Sequence, residues 1–349
     1  MSKQFQKVKL LSCIFAIVVI TLMSGCAGSS APPQTPEPEH ENEHSHGHQP
    51  PPDPEPIPLI PRAEAIPSNA IKMTPEVDTL PPQLHSNKYK EPVPLNDAIN
   101  TAGAEDSAFI MPDGNTLYFW FTPDVTIPPE KQLLDGATGI YVSTKQNGQW
   151  SEVERIRLHS PYKLALDGCV FVQNNTMWFC SARQGNLKTV DIWTAEFENG
   201  QWRNWKNAGN KINLTYQVGE LHITSDGNKM YFHSSRPGGK GSYDIWSIEK
   251  INDRWQNPQN VETLNTSDVE GWPFITENGQ ELWFTRTYMG TPGIFRSEKI
   301  DGEWSQPELI VSQFAAEPSL DSDGNLYFTH HFFKDNKMIE ADIYVAYRK

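Results

Sequence analysis

Positive charge is what this sequence has too little of. Its 29 Lys and Arg stand against 43 Asp and Glu, a formal net charge of −14. A nucleic-acid surface needs clustered cations to displace counterions from phosphates, so no nucleic-acid partner is expected, and no charge-driven docking on anionic lipid. No stretch carries a long 3.6-residue apolar period, which argues against a helical domain. Residues 88–349 show no nucleophile elbow, no Gly-rich phosphate cradle and no Cys/His set at zinc spacing, so no cofactor is expected. Cysteine is scarce as well: of four, Cys13 and Cys26 fall in the first 26 residues. The other two, Cys169 and Cys180, fall on consecutive predicted strands of one hairpin, nearly opposite each other. A disulfide and a pair of packed free thiols are both compatible with that placement.

The one long apolar run, "LLSCIFAIVVITL", follows Lys3, Lys7 and Lys9 and is short for a permanent membrane span. It leads into "LMSGC", which resembles the lipobox of bacterial lipoproteins. The resemblance implies that residues 1–25 are a signal peptide and that Cys26 is lipidated. Ala27 after the cysteine implies the periplasmic side of a Gram-negative outer membrane. Residues 26–87 are expected to be a disordered tether, because Pro, Glu and His dominate "APPQTPEPEHENEHSHGHQPPPDPEPIPLIP" and leave too little apolar surface to bury. A Pro-rich chain extends by about 3 Å per residue, so such a tether reaches far from its anchor. His40, His44, His46 and His48 within it are weak metal-ligand candidates, with a solvated spacer as the plainer reading.

What is abundant is repetition. Five turns, "PDGN", "QNNT", "SDGN", "ENGQ" and "SDGN", each precede an aromatic pair: Tyr118-Phe119, Trp178-Phe179, Tyr231-Phe232, Trp283-Phe284 and Tyr327-Phe328. A loop and a second apolar run follow each pair, from Ile140-Tyr141 to Ile343-Tyr344, and four units continue through another turn to Trp150, Trp202, Trp255 or Trp304. Asn-Gly and Asp-Gly supply the positive φ of tight hairpin turns, so each unit reads as a four-stranded antiparallel meander. Repeats of this kind stacked radially make an all-β, five-bladed propeller over residues 88–349. The fifth unit ends at Lys349 without a fourth strand. "INTAGAED" (99–106) matches "LNTSDVEG" (264–271) and resembles "INLTYQVGE" (212–220), so an N-terminal strand near 92–100 is expected to close the last blade. The unit "SDGNKMYFHSSRPGGKGSYDIW" resembles the TolB-like, WD-type propeller repeat. That resemblance implies a monomeric binding scaffold in the periplasm and brings no chemistry with it.

The start of each first strand and the loop after each second strand are expected on one face. Glu105 and Asp106, Asp167, Glu220, Glu270 and Glu317 lie at the former; Arg183, Arg236, Arg286, His330 and His331 lie at the latter. Together they form a candidate polar surface for an envelope protein or a glycan. Recurrence in nearly every unit equally suits a structural role, with each carboxylate satisfying backbone N–H groups and pairing with an Arg. Two enlarged loops, 122–139 and 330–342, are expected to overhang the same face. Asp106, Asp167 and Glu220 also follow the Asp, Asp, Glu order of arabinanase-like glycosidases. That resemblance implies Asp106 as base, Glu220 as acid and Asp167 as a tuning residue.

Overall fold

The computed structural model describes residues 56–214 and 216–349, so the leader, Cys26, His40, His44, His46 and His48 lie outside the described residues. Five antiparallel meanders follow one another along the chain. The first runs through Ala104–Ile110, Thr116–Thr122 and Gly139–Gln146, and the second through Ala165–Gln173, Thr176–Arg183, Asp191–Glu198 and Gln201–Asn207. The third comprises Val218–Ile223, Lys229–Ser234 and Asp244–Ile251; the fourth, Glu270–Ile275, Glu281–Tyr288 and Thr291–Ile300; the fifth, Ala315–Leu320, Leu326–Lys334 and Lys337–Ala346. The first strands of neighbouring units touch in cyclic order, the fifth returning to the first, which is a β-propeller arrangement. No helix among the described residues is long and apolar enough to cross a membrane.

The turns work as their residues require. Asn147 and Gly148 have φ of 53° and 79°, the double positive φ of a type I′ hairpin. The second residue of each aromatic pair, Phe119, Phe179, Phe232, Phe284 and Phe328, is fully buried between sheets, and this sets the register of each unit. Outer strands are less regular than the repeat suggests. In units one, three and four the Trp-bearing piece is a two-residue ribbon, and a separate segment (Glu154–Arg155, Gln259–Asn260 or Glu308–Ser312) takes the ladder position. Val93–Pro94 pairs with Val345 and Tyr344, so an N-terminal strand supplies the outer position of unit five.

The recurring Asn of "INT", "INL" and "LNT" holds each outer connection to the third strand it follows. Asn265 Oδ1 accepts from the N–H of Ile245 while its Nδ2 donates to the Ile245 carbonyl, both at 2.8 Å. Asn213 does the same to Ile192 at 2.7 and 2.8 Å. Asn100 does so to Ile343, both at 3.0 Å, across 243 residues of sequence. A side-chain amide here imitates a strand's donor and acceptor where the outer ladder has ended.

Residues 56–87 do not behave as the expected tether. From Pro61 onward the sequence gains apolar and charged residues, and the segment packs as a strap on the propeller. Arg62–Ala65 forms one helical turn, Gln83–Leu84 adds a strand beside Glu308–Ser312, and Ile60 N–H donates to Gly136 O.

Replacing Asn100 by Ala orphans the buried N–H of Ile343 and takes a donor from Leu95 O, while Ile343 O keeps the Leu95 N–H at 2.9 Å. Each such lost partner costs about 1–3 kcal/mol. Urea unfolding of Asn100→Ala should show a loss of roughly 2–4 kcal/mol at unchanged slope; an unchanged midpoint would mean the clasp is dispensable.

Candidate functional site

All five first strands slip register at the same level: between Asp106 and Phe109, Gly168 and Phe171, Val218 and Leu221, Gly271 and Phe274, and Ala316 and Ser319. A β-bulge re-aims the side chain it contains. Ser107, Cys169, Trp272 and Glu317 hold φ of 52°, 53°, 54° and 61° there. With Glu220 they line a narrow axial void of about 30 Å³.

The first-strand carboxylates separate into two tiers. The upper tier is recurrent and paired. Glu105 meets Arg62 at 2.9 Å, Asp167 meets Arg183 at 2.5 Å and His159 at 2.9 Å, and Glu270 meets Arg286 at 2.8 Å. Thr101 and Thr266 each donate a hydroxyl at 2.6 Å to Glu105 and Glu270. Burial pushes Glu105 up to about 7 despite Arg62, whereas Asp167 is held low because His159 and Arg183 outweigh its burial. Arg236 joins no carboxylate among the described residues: it donates to Ser234 Oγ and Ile212 O and stacks on Phe232 and Trp246.

The lower tier, Asp106, Glu220 and Glu317, lies on the axis. Ser107 N–H donates to Asp106 Oδ1 at 3.0 Å and to Glu317 Oε2 at 2.7 Å, and Ser107 Oγ donates to Glu220 Oε1 at 2.8 Å. His331 Nε2 stands 3.4 Å from Asp106 Oδ1. Burial, compounded by the neighbouring carboxylates, pushes Glu317 well up, while burial and Cys169 do the same to Glu220. Asp106 stays low, because hydrogen bonds with Glu317 and His331 outweigh its burial. Cys169 and Cys180 are free thiols in contact, and that contact, with burial, raises the Cys169 thiol.

The face expected to lie open is crossed by the strap. Lys72 Nζ reaches Glu340 and Asp342, both at 2.5 Å, and His330 Nε2 pairs with Asp78 at 3.0 Å. His330 therefore belongs to an internal contact and is separated in role from His331. The expected 330–342 loop is instead the tip of a hairpin: Leu326–Lys334 and Lys337–Ala346 pair directly up to Lys334 opposite Lys337. Residues 122–139 contain a short helix, Pro129–Gln132, and receive the strap at Gly136.

A larger opening lies at the other end of the axis. There a cavity of about 670 Å³ is floored by Phe109, Phe171, His222 and Phe274 and rimmed by turn residues including Asn174, Ser225, Asn278 and Ser322. The His222 ring sits 4.4 Å from Phe171 and 4.3 Å from Phe274, and burial pulls its pKa down to about 3, so it is a neutral member of an aromatic floor. Sequence reasoning missed this mouth. The signal was present: an aromatic ring recurs two to four residues past the carboxylate of four first strands.

The strap carries a pH dependence. Burial raises Glu340 to about 7 and Asp342 to about 6, because one Lys72 cannot offset the desolvation of both. The folded chain thus retains protons that the unfolded chain has released, and stability falls as pH rises from about 4 to about 7. Lys72→Met removes the only cation facing the pair among the described residues. It should cost about 2 kcal/mol at pH 8, the modest end for a broken ion pair because Lys72 is 32% exposed, and much less at pH 5. Urea midpoints at the two pH values check this; equal losses at both would contradict it.

No protein-family model matches the chain, and no curated protein matches it in sequence. Similar solved structures include TolB from Acinetobacter baumannii, at 13% identity and a TM-score of 0.44, covering 72% of this chain and 56% of that one. They also include an endo-arabinase from Bacteroides thetaiotaomicron, at 15% identity and a TM-score of 0.47, covering 70% and 93% of the two chains. Bacteroides ovatus "Xyloglucan PUL GH43B" is similar at 14% identity and a TM-score of 0.46, over 73% of this chain and 54% of that one. This chain therefore spans just over half of that TolB, and no residue's role is carried over from any of the three.

Proposed function

We propose that the chain is a five-bladed β-propeller serving as a non-catalytic binding scaffold, tethered through Cys26 to the periplasmic side of an outer membrane. A protein or glycan would occupy the aromatic-floored mouth. The observation that carries this reading is the contrast between the two ends of the axis. At the strap end the upper-tier acids already have internal partners and the strap crosses the face. At the other end stands a cavity of about 670 Å³ with an apolar floor and a polar rim, the usual composition of a ligand site.

A glycosidase reading has one observation in its favour: Asp106 is held low and Glu220 high within one axial cluster, the split that acid–base pairs require. Against it, the void between them, about 30 Å³, has room for a water or an ion and none for a sugar ring. Metal scavenging by His40, His44, His46 and His48 remains a separate proposal about the tether.

Ser322 is exposed on the rim and its side chain supports no neighbour among the described residues. Ser322→Trp should occlude the mouth and reduce capture of an envelope protein or an arrayed glycan at least tenfold, with an unchanged melting curve. Undiminished capture would remove the site from this mouth. In parallel, neither the unaltered chain nor Glu220→Gln should turn over arabinan or xylan; turnover abolished by Glu220→Gln would replace the scaffold reading with the enzyme.

A further inference from the structure

We propose that the propeller axis holds a divalent metal ion of the Zn²⁺ type, bound by Asp106, Glu317 and His331 and joining the first and last units. Donor atoms of these three residues lie within 4.8 Å of one another. The residues are 3%, 6% and 8% exposed, and they come from the rigid strands Ala104–Ile110, Ala315–Leu320 and Leu326–Lys334.

The repeat itself shows that building a blade does not need these side chains. In register with Asp106, the other units place Gly168, Gly219, Gly271 and Ala316. In register with His331 they place Thr122, Ala182, Ser235 and Thr287, and in register with Glu317 they place Ser107, Cys169, Glu220 and Trp272. Units two, three and four thus fold with small or uncharged residues at both the Asp106 and the His331 positions. Among the described residues, two carboxylates and an imidazole come together at these levels where the first and last units meet.

The charge inventory points the same way. Buried charges are paired or coordinate metals, and Glu105, Asp167 and Glu270 each have an Arg. Asp106 has only His331 as an ionic partner among the described residues, and Glu317 has no cation, sharing a hydrogen bond with Asp106 instead. The His331 ring is nine-tenths buried, meets Asp106 through a long 3.4 Å hydrogen bond from Nε2, and has no other side-chain partner among the described residues. Ser107 N–H and Thr329 Oγ fix the two carboxylates at 2.7–3.0 Å, the kind of outer support that orients ligands. One imidazole with two carboxylates favours Zn²⁺ over the all-oxygen preference of Ca²⁺. The axial void beside Glu317 leaves space for a water on the ion.

The test uses the full chain carrying His40→Ala, His44→Ala, His46→Ala and His48→Ala, so that the tether cannot contribute. After dialysis against EDTA, Zn²⁺, Mn²⁺ and Ca²⁺ are titrated calorimetrically and bound metal is counted by mass spectrometry. One Zn²⁺ per chain is expected, raising Tm by about 5 °C at saturating metal. Affinity should fall at least a hundredfold in His331→Ala and in the near-isosteric Asp106→Asn and Glu317→Gln. These two variants also show by their metal-free melting whether the site still folds. Co²⁺ should give a visible absorption band in the parent chain and none in His331→Ala. No bound ion, binding undiminished in the variants, or Ca²⁺ bound in preference to Zn²⁺ would overturn the proposal. The first of these outcomes would leave a shared proton as what holds Asp106 against Glu317.

Discussion

The β-bulge in each first strand is the constraint from which the rest of this structure follows. A regular inner strand would alternate side chains between the two faces of its sheet and leave the axis to whatever protruded. By inserting one residue at a fixed level, the chain turns Ser107, Cys169, Glu220, Trp272 and Glu317 toward the axis. It leaves Phe109, Phe171, His222 and Phe274 to form an aromatic floor one step further along. The polar chamber and the apolar cavity are thus successive layers of the same five strands. Their separation is a property of backbone register, and a change at one layer need not disturb the other.

Ring closure explains where polar groups are buried and why they persist. A propeller whose chain ends lie in adjacent units needs the last sheet completed from the other end of the sequence. Val93–Pro94 supplies two residues of regular ladder, and backbone bonds at Lys88, Lys90 and Leu95 with a bridge at Tyr89 extend it along 343–349. The Asn100 clasp on Ile343 and the Lys72 contacts with Glu340 and Asp342 reinforce that seam from the side. Buried ion pairs add little net stability over apolar packing, but breaking one partner is expensive. Their value at this seam is that the N-terminal segment can be seated in only one register.

Much of the fold was legible because its signals are local. Asp-Gly and Asn-Gly turns, paired aromatics and the "INT"/"LNT" recurrence each declare a conformation within a few residues. The recurrence even located the closing strand. The site was legible only in part. Sequence spacing put Glu105, Asp106, Asp167, Glu220, Glu270 and Glu317 at equivalent strand starts, but it could not separate Glu105 from Asp106, adjacent residues that the bulge sends to different tiers. Arg236 looked equivalent to Arg183, yet its guanidinium stacks on Phe232 and Trp246 and no carboxylate waits for it. The strap was hidden by composition: prolines at 54, 56, 58 and 61 suggested that the disordered tether continued. Arg62, Lys72 and Asp78 acquire a role only through partners at Glu105, Glu340 and Asp342, and His330, up to 270 residues away.

The strap also gives the molecule a direction. It runs against the end of the propeller where the first strands begin, touching Pro161 and Gly136 near where the described chain begins. The aromatic-floored cavity opens at the opposite end. A lipid on Cys26 would therefore pull on one pole of the axis and leave the cavity at the other. For an anchored protein this geometry matters more than tether length. A free-swinging linker attached at the cavity end would bring its own chain to the mouth at high effective concentration, whereas the strap commits those residues to the far side. The internal pairing of the upper-tier acids follows from the same arrangement. On the face the strap covers, a carboxylate is more useful holding the strap or its own blade than waiting for a ligand, and the residues that depart from the repeat are found deeper, along the axis.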